Sequence, residues 1–304
     1  MAWNLRLSEP CLPIGFAVSF FLEKLEASAM GRVELKGVRK PVIAGTWYPG
    51  RPEELRRMIS DFLAKVDLEP IPGELVGLVA PHAGYIYSGQ VAAYAYKQLE
   101  GRPFETVVVV HPSHRMYIDG YALTAAASYE TPLGQVPLDG ELIAELDEEL
   151  GFTFLRADQE HSLEIQLPFL QYVLGNFKLV PIMMGDQSLE RCRKLASALA
   201  KALKGRKALL VASSDLSHFY SYRMALSLDK VVLNYVENYD PEGLAKAIAL
   251  GKAEACGGGP IVSVMLASKE LGADKAKVLK YANSGDVTGD FGSVVGYMAA
   301  AFYS

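Results

Sequence analysis

Cysteine is scarce in this chain. Cys11, Cys192 and Cys256 are the three among 304 residues. So odd and widely spaced a set argues against a disulfide scaffold and fits a reducing, cytoplasmic setting. Basic runs are missing too. With 30 basic against 35 acidic residues, the formal charge is −5, and nucleic acid is not an expected partner. Charged or polar residues break every apolar run before the roughly 18–20 residues a spanning helix needs, so no membrane segment is expected. Neither an internal repeat nor a low-complexity stretch is present. Histidine is rare as well, and its placement carries the most information.

What the chain has is apolar residues, 50% of the total, enough for a large core. Strand and helix patterns alternate almost throughout. That predicts an α/β fold, three-layer αβα, around one mostly parallel, mixed sheet. Residues 36–304 read as a single domain. Residues 1–35 read as a poorly packed or spurious extension. Its apolar patch, Cys11 to Leu22, loosely mimics a signal peptide, but Glu23, Lys24 and Glu26 crowd the cleavage region. Met30-Gly31 is the natural start of the chain proper.

Three apolar runs have one form. Leu75 to Tyr85 (LVGLVAPHAGY) runs into His82, Thr106 to Arg115 (TVVVVHPSHR) into His111 and His114, and Ala208 to Phe219 (ALLVASSDLSHF) into Asp215 and His218. Such β-branched runs suit strands buried on both faces. Ligands of open α/β sheets bind beyond the carboxyl ends of the strands. If the three strands are neighbours, His82, His114 and His218 converge there. Converging imidazoles suit zinc, iron or copper.

Other elements supply further candidates. Cys256 precedes Gly257-Gly258-Gly259-Pro260 at an expected helix start, a position that favours a thiolate. Asp215 could orient a histidine or cap a helix. Glu160, His161 and Glu164 open a helix expected from His161 to Leu174, either as a capping network or as a proton relay. Tyr85 and Tyr87, between Gly84 and Gly89, could wall a pocket. Their glycines lack the spacing and the lysine of a phosphate loop. A hairpin is expected over Tyr121–Leu138, and a polar loop over Asn283–Gly292 with Asp286 and Asp290.

The motifs PHAGY at 81–85, PSH at 112–114, EHSLEIQLP at 160–168, SSDLSH at 213–218, CGGGP at 256–260 and YANSGD at 281–286 resemble, in order and in combination, those of the Memo family, named for a mediator of ErbB-driven cell motility. The likeness runs from about Val38 to the C-terminus. It implies a fold similar to class III extradiol dioxygenases, which hold non-haem Fe(II). Carried over by motif, His82, His114 and Cys256 are the metal ligands, His218 is the acid/base, and Asp215 and His161 lie close by. The thiolate in place of a carboxylate shifts preference toward softer metals. His111 stands where the family usually has glycine, which adds an imidazole near the pocket or points one away. Relatives often accompany a radical-SAM protein, which implies a shared pathway.

Three functional classes are open to such a chain. The first is a non-haem, metal-dependent oxidoreductase using Fe(II) or Cu on a small organic ligand. The second is a zinc hydrolase. The third is a non-catalytic module that binds metal or peptide through a relic pocket.

Overall fold

In the computed structural model, residues 34–304 are described. The extension expected at residues 1–35 lies outside them, but for Glu34 and Leu35. In chain order the strands are β1 Val38–Arg39, β2 Leu75–Ala80, β3 Thr106–Pro112, β4 Tyr121–Thr124, β5 Ser128–Thr131, β6 Gly134–Pro137, β7 Thr153–Leu155, β8 Lys178–Met184, β9 Ala208–Ser213, β10 Asp215–Tyr220, β11 Lys275–Asn283 and β12 Val294–Tyr303. The helices are α1 Pro52–Ala64, α2 Tyr85–Tyr96, α3 Gly140–Leu150, α4 Leu167–Leu174, α5 Leu189–Leu203, α6 Tyr222–Glu237, α7 Pro241–Ala249, α8 Gly258–Glu270 and α9 Ser284–Thr288.

Local chemistry sets most of these boundaries. Pro52 opens α1, where its missing N–H costs nothing. Leu55, Ile59 and Leu63, one turn apart, are its buried stripe. The Asp139 carboxylate accepts from Leu142 N at the start of α3, and Ser188 caps α5 in the same way.

The large sheet has the order β10-β12-β2-β9-β3-β8-β4-β7, with β11 also on β12. Its centre is parallel: β2 on β9, β9 on β3, β3 on β8. β3 is buried along its whole length. Each of its four valines, out of water, is worth roughly 1.5 kcal/mol or more. The flanks are antiparallel, β12 against β2 and β4 against β8. Helices cover the sheet on both sides: α8 packs on β9, β2 and β3, and α2 on β2 and β12. The expected three-layer α/β architecture is what forms. The three strands that run into histidines are direct neighbours, in the order β2-β9-β3.

Three local expectations change. The Tyr121–Leu138 hairpin is narrower: β5 and β6 pair, and with β1 they make a separate small sheet, while β4 joins the large one. The helix expected from His161 begins only at Leu167, after a 3-10 turn over Glu164–Gln166. Pro168 suits a first helical turn and not an interior, and residues 161–163 are instead a turn wrapped around the Glu160 carboxylate. The late polar loop contains α9. There Asn283 accepts from Gly285 N and Asp286 accepts from Asn283 N, a reciprocal cap that starts the helix.

Candidate metal centre

His82 lies just past β2, His114 just past β3, and Cys256 in the turn before α8. One ligand atom from each lies within 4.8 Å of the other two. The His82 Nε2 to Cys256 Sγ distance is 3.1 Å, and the His82 and His114 ring centroids are 5.1 Å apart.

Hydrogen bonds settle which imidazole nitrogens are free. The Ser213 hydroxyl donates to Ser162 O at 2.6 Å, so its oxygen accepts from His82 Nδ1 at 2.9 Å. Gln166 Nε2 donates to the same oxygen at 2.8 Å. His82 therefore carries its proton on Nδ1, and Nε2 keeps its lone pair. His114 Nδ1 sits 3.0 Å from Glu160 Oε1, which can only accept, so its Nε2 is free too. Buttressing of this kind fixes ring orientation and raises ligand basicity at metal sites. Two free imidazole nitrogens and a thiol aimed at one space fit a metal ion held at about 2.0–2.3 Å from each.

Glu160 is 2% exposed. It accepts from His114 N, His161 N and Ser162 N at 2.6, 2.9 and 3.0 Å. Burial alone would raise its pKa, yet these donors hold it far below the usual carboxylate range. Glu160 also groups with His114 and His161 as a second potential ligand set. Its Oε1 already takes three N–H contacts, so it serves the first set as a brace. Behind it, Arg39 donates to Glu160 O and Asp158 and pairs with Glu164. Glu164 also accepts from Val42 N, Ile43 N and the Tyr48 hydroxyl.

Asp215 begins β10. Its Oδ1 accepts from His82 N at 2.8 Å, while its Oδ2 is 3.8 Å from His82 Nε2. It holds the His82 backbone, and orienting the ring falls to Ser213. Burial pushes the Asp215 carboxyl up to about 7. The thiol of Cys256 moves opposite to the sequence expectation. Burial, then the nearby Asp215, push it well above the usual value, and both outweigh the helix start behind it. A metal ion supplies the charge that makes such a thiol a thiolate.

His82, His114, His161, Asp215 and His218 line a cavity of about 960 Å³. His161 packs its ring 4.4 Å from Trp47, and its Nδ1 is buried without a hydrogen bond. His218 N donates to Glu254 Oε1 at 3.1 Å. Burial lowers the pKa of both imidazoles, that of His161 to about 4, so both are neutral near pH 7.

Two expected pocket residues sit elsewhere. Tyr85 is 2% exposed, in the core, with its hydroxyl on Ile165 O at 2.9 Å; Tyr87 takes the wall position. His111 is buried with Nδ1 2.9 Å from Ser162 Oγ, and it points away from the cavity lining. Sequence reasoning missed Ser213, Gln166 and Arg39. The EHSLEIQLP and SSDLSH motifs hold Gln166 and Ser213, but serine and glutamine carry no chemical flag of their own.

Fold and site together define an α/β protein with a candidate two-histidine, one-cysteine metal centre at the carboxyl edge of its parallel strands. The family model described as "Memo-like protein" matches residues 39–301. A MEMO1 family protein of Ignicoccus hospitalis is 40% identical over 285 residues, covering 87% of this chain and 98% of that one. MEMO1 family proteins of Pyrobaculum aerophilum (40% identical, 88% and 99% covered) and Nitrosopumilus maritimus (38%, 87% and 99%) are similar. This chain belongs to the Memo-like family. An uncharacterized Escherichia coli K12 protein of known crystal structure shares the fold at TM-score 0.50 and 17% identity, over 76% of this chain and 100% of that one. No helix among the described residues is long and apolar enough to cross a membrane.

Proposed function

We propose that His82, His114 and Cys256 hold one redox-active ion, iron(II) or copper, and that the chain is a metal-dependent oxidoreductase of a small organic molecule. The observation that carries this reading is the approach of three donor atoms to within 4.8 Å of one another, beside a cavity with room for a substrate. Two imidazoles and a thiolate form a donor set that iron, copper and zinc all accept. When bound, the metal would supply electron transfer and Lewis acidity.

The protein's own groups do the rest. Ser213 and Glu160 fix the two imidazoles. His218, neutral and facing the cavity, is placed to take a proton from a bound hydroxyl. Asp215, pushed up to about 7, can hold or release one near neutral pH, the range in which acid/base groups work best. Trp47 and Tyr297 line the cavity and displace water from it. We assign the protein to the reducing cytosol, where Cys256 stays a thiol.

Elemental analysis of the purified protein tests the reading. About one iron or copper per wild-type chain is expected, falling below a tenth in His82→Ala and Cys256→Ala. Zinc alone, or no metal in a well-folded wild type, would overturn it. The near-neutral Asp215 beside a zinc-compatible donor set also favours a second reading, a zinc hydrolase. Zinc at full occupancy with turnover in an ester, amide and phosphate panel would decide for that one.

A further inference from the structure

Arg115 comes directly after the candidate ligand His114. It is the one basic side chain among the described residues that line the cavity. It is exposed, and it makes no ion pair or hydrogen bond with any described residue. An unpaired arginine on an open helix face needs no explanation. This one stands close enough to His161 for its charge to help depress that imidazole's pKa, so the bare protein tolerates a repulsion there. Two cavity carboxylates are already engaged: Asp215 accepts from His82 N, and Asp290 from Gly292 N. The first turn of α2 also faces the cavity, through Gly84 and Ile86. A helix N-terminus adds positive potential of the same sign.

The cavity mouth is apolar. Phe219 is 75% exposed, Ile86 63% and Tyr87 40%, and all three line it. Phe219 holds φ at 66°, a left-handed conformation that a bulky residue rarely adopts. It falls where β10 slips register against β12, on either side of His218. Strain of this kind collects at ligand sites, where the surrounding structure holds it in place. Here it leaves an aromatic face in the mouth of the cavity.

We propose that the cavity binds a small-molecule carboxylate with an apolar, ring-bearing body, its carboxylate on Arg115 and its body against Phe219, Tyr87 and Ile86. One guanidinium matches a carboxylate in charge and in fork geometry. The assignment names the substrate class of the oxidoreductase reading and rests on it only for the fate of the bound molecule.

Isothermal titration of the full chain with 3-phenylpropionate and with its neutral amide tests the assignment. Wild type is expected to prefer the carboxylate about tenfold or more. Arg115→Ala is expected to bring the carboxylate down to the amide's affinity without changing the amide's, and Arg115→Lys to keep part of the preference. Phe219→Ala should weaken both probes alike. Equal binding of the two by wild type, binding of neither, or a preference that survives Arg115→Ala would overturn it. The same titration on Cys256→Ala separates this proposal from the metal reading. A preference kept there supports the Arg115 site even if no metal is found. A preference lost there but kept in Arg115→Ala would give the carboxylate to the metal and refute the assignment.

Discussion

The two flanks of the candidate centre are built in opposite ways. On one, Arg39, Asp158, Glu160 and Glu164 are each 7% exposed or less and tie β1 to the turn that carries His161. On the other, Phe219, Val287 and Phe291 are more than half exposed, and His218 meets its nearest carboxylate only at 3.9 Å. The buried flank fixes where His114 points. The open flank has room to admit and select a ligand. Ordered ligands beside a loosely tied mouth suit a site that must hold a metal while exchanging small molecules.

The largest effect should come from cutting the buried flank. Glu164→Gln removes the charge facing Arg39 and an acceptor shared by Val42 N, Ile43 N and the Tyr48 hydroxyl. Breaking one partner of a buried pair costs about 3–5 kcal/mol, read as a lower urea midpoint at unchanged slope. A loss under about 1 kcal/mol would mean that this flank is no firmer than the other. Glu160→Gln acts one step closer to the site. It keeps the side chain's size but weakens the contact with His114 Nδ1, and metal affinity should fall about ten- to a hundredfold in a competition titration. Its overall fold should survive, as judged by circular dichroism.

The strand ends were legible because sequence chemistry announces them. The valine run stops at Pro112, and β2 and β9 end in small residues before a histidine or an aspartate. Neighbouring parallel strands then bring His82, His114 and His218 to one edge. The braces were not legible. Arg39 and Glu164 are 125 positions apart, and nothing local in either segment names the other. Cys256 was read from its helix start, but a dipole's pull at a helix end is small beside full desolvation. The tyrosines changed places for a geometric reason. Helix α2 begins at Tyr85, three residues before the expected Ser88, so residues 85 and 87 fall about 200° apart around it. One enters the core and the other faces the cavity.

The buried flank also carries a pH signature. Burial lowers the His111 pKa to about 4, against about 6.5 in an unfolded chain. Between those values the unfolded chain binds the extra proton, so stability rises with pH. The contribution is complete above pH 6.5 and lost as pH falls toward 4. At pH 5 the loss from this one group is on the order of 2 kcal/mol. His111→Gln, which can still donate to Ser162 Oγ, should flatten that part of the curve. Urea unfolding of both proteins at pH 5 and 7.5 measures the difference. Parallel curves would show that His111 is not held neutral, and the buried flank would lose one of its distinguishing properties.

The smallest effect should come from the open flank, and there the sign matters more than the size. A left-handed conformation costs an L-residue roughly 1–2 kcal/mol, which glycine does not pay. Elsewhere glycine is about 0.5–1 kcal/mol worse than alanine, because it loses more backbone freedom on folding. At Phe219, with φ at 66° and the ring 75% exposed, little burial is lost by truncation, so the backbone terms decide the outcome. Phe219→Gly should therefore match or exceed wild type by up to about 0.5 kcal/mol, and Phe219→Ala should fall about 1 kcal/mol below the glycine variant. Urea midpoints of the three proteins give the ranking. If alanine equals or beats glycine, residue 219 is not held in that conformation in solution, and the open flank would lose the one strained feature that sets its aromatic face in the mouth of the cavity.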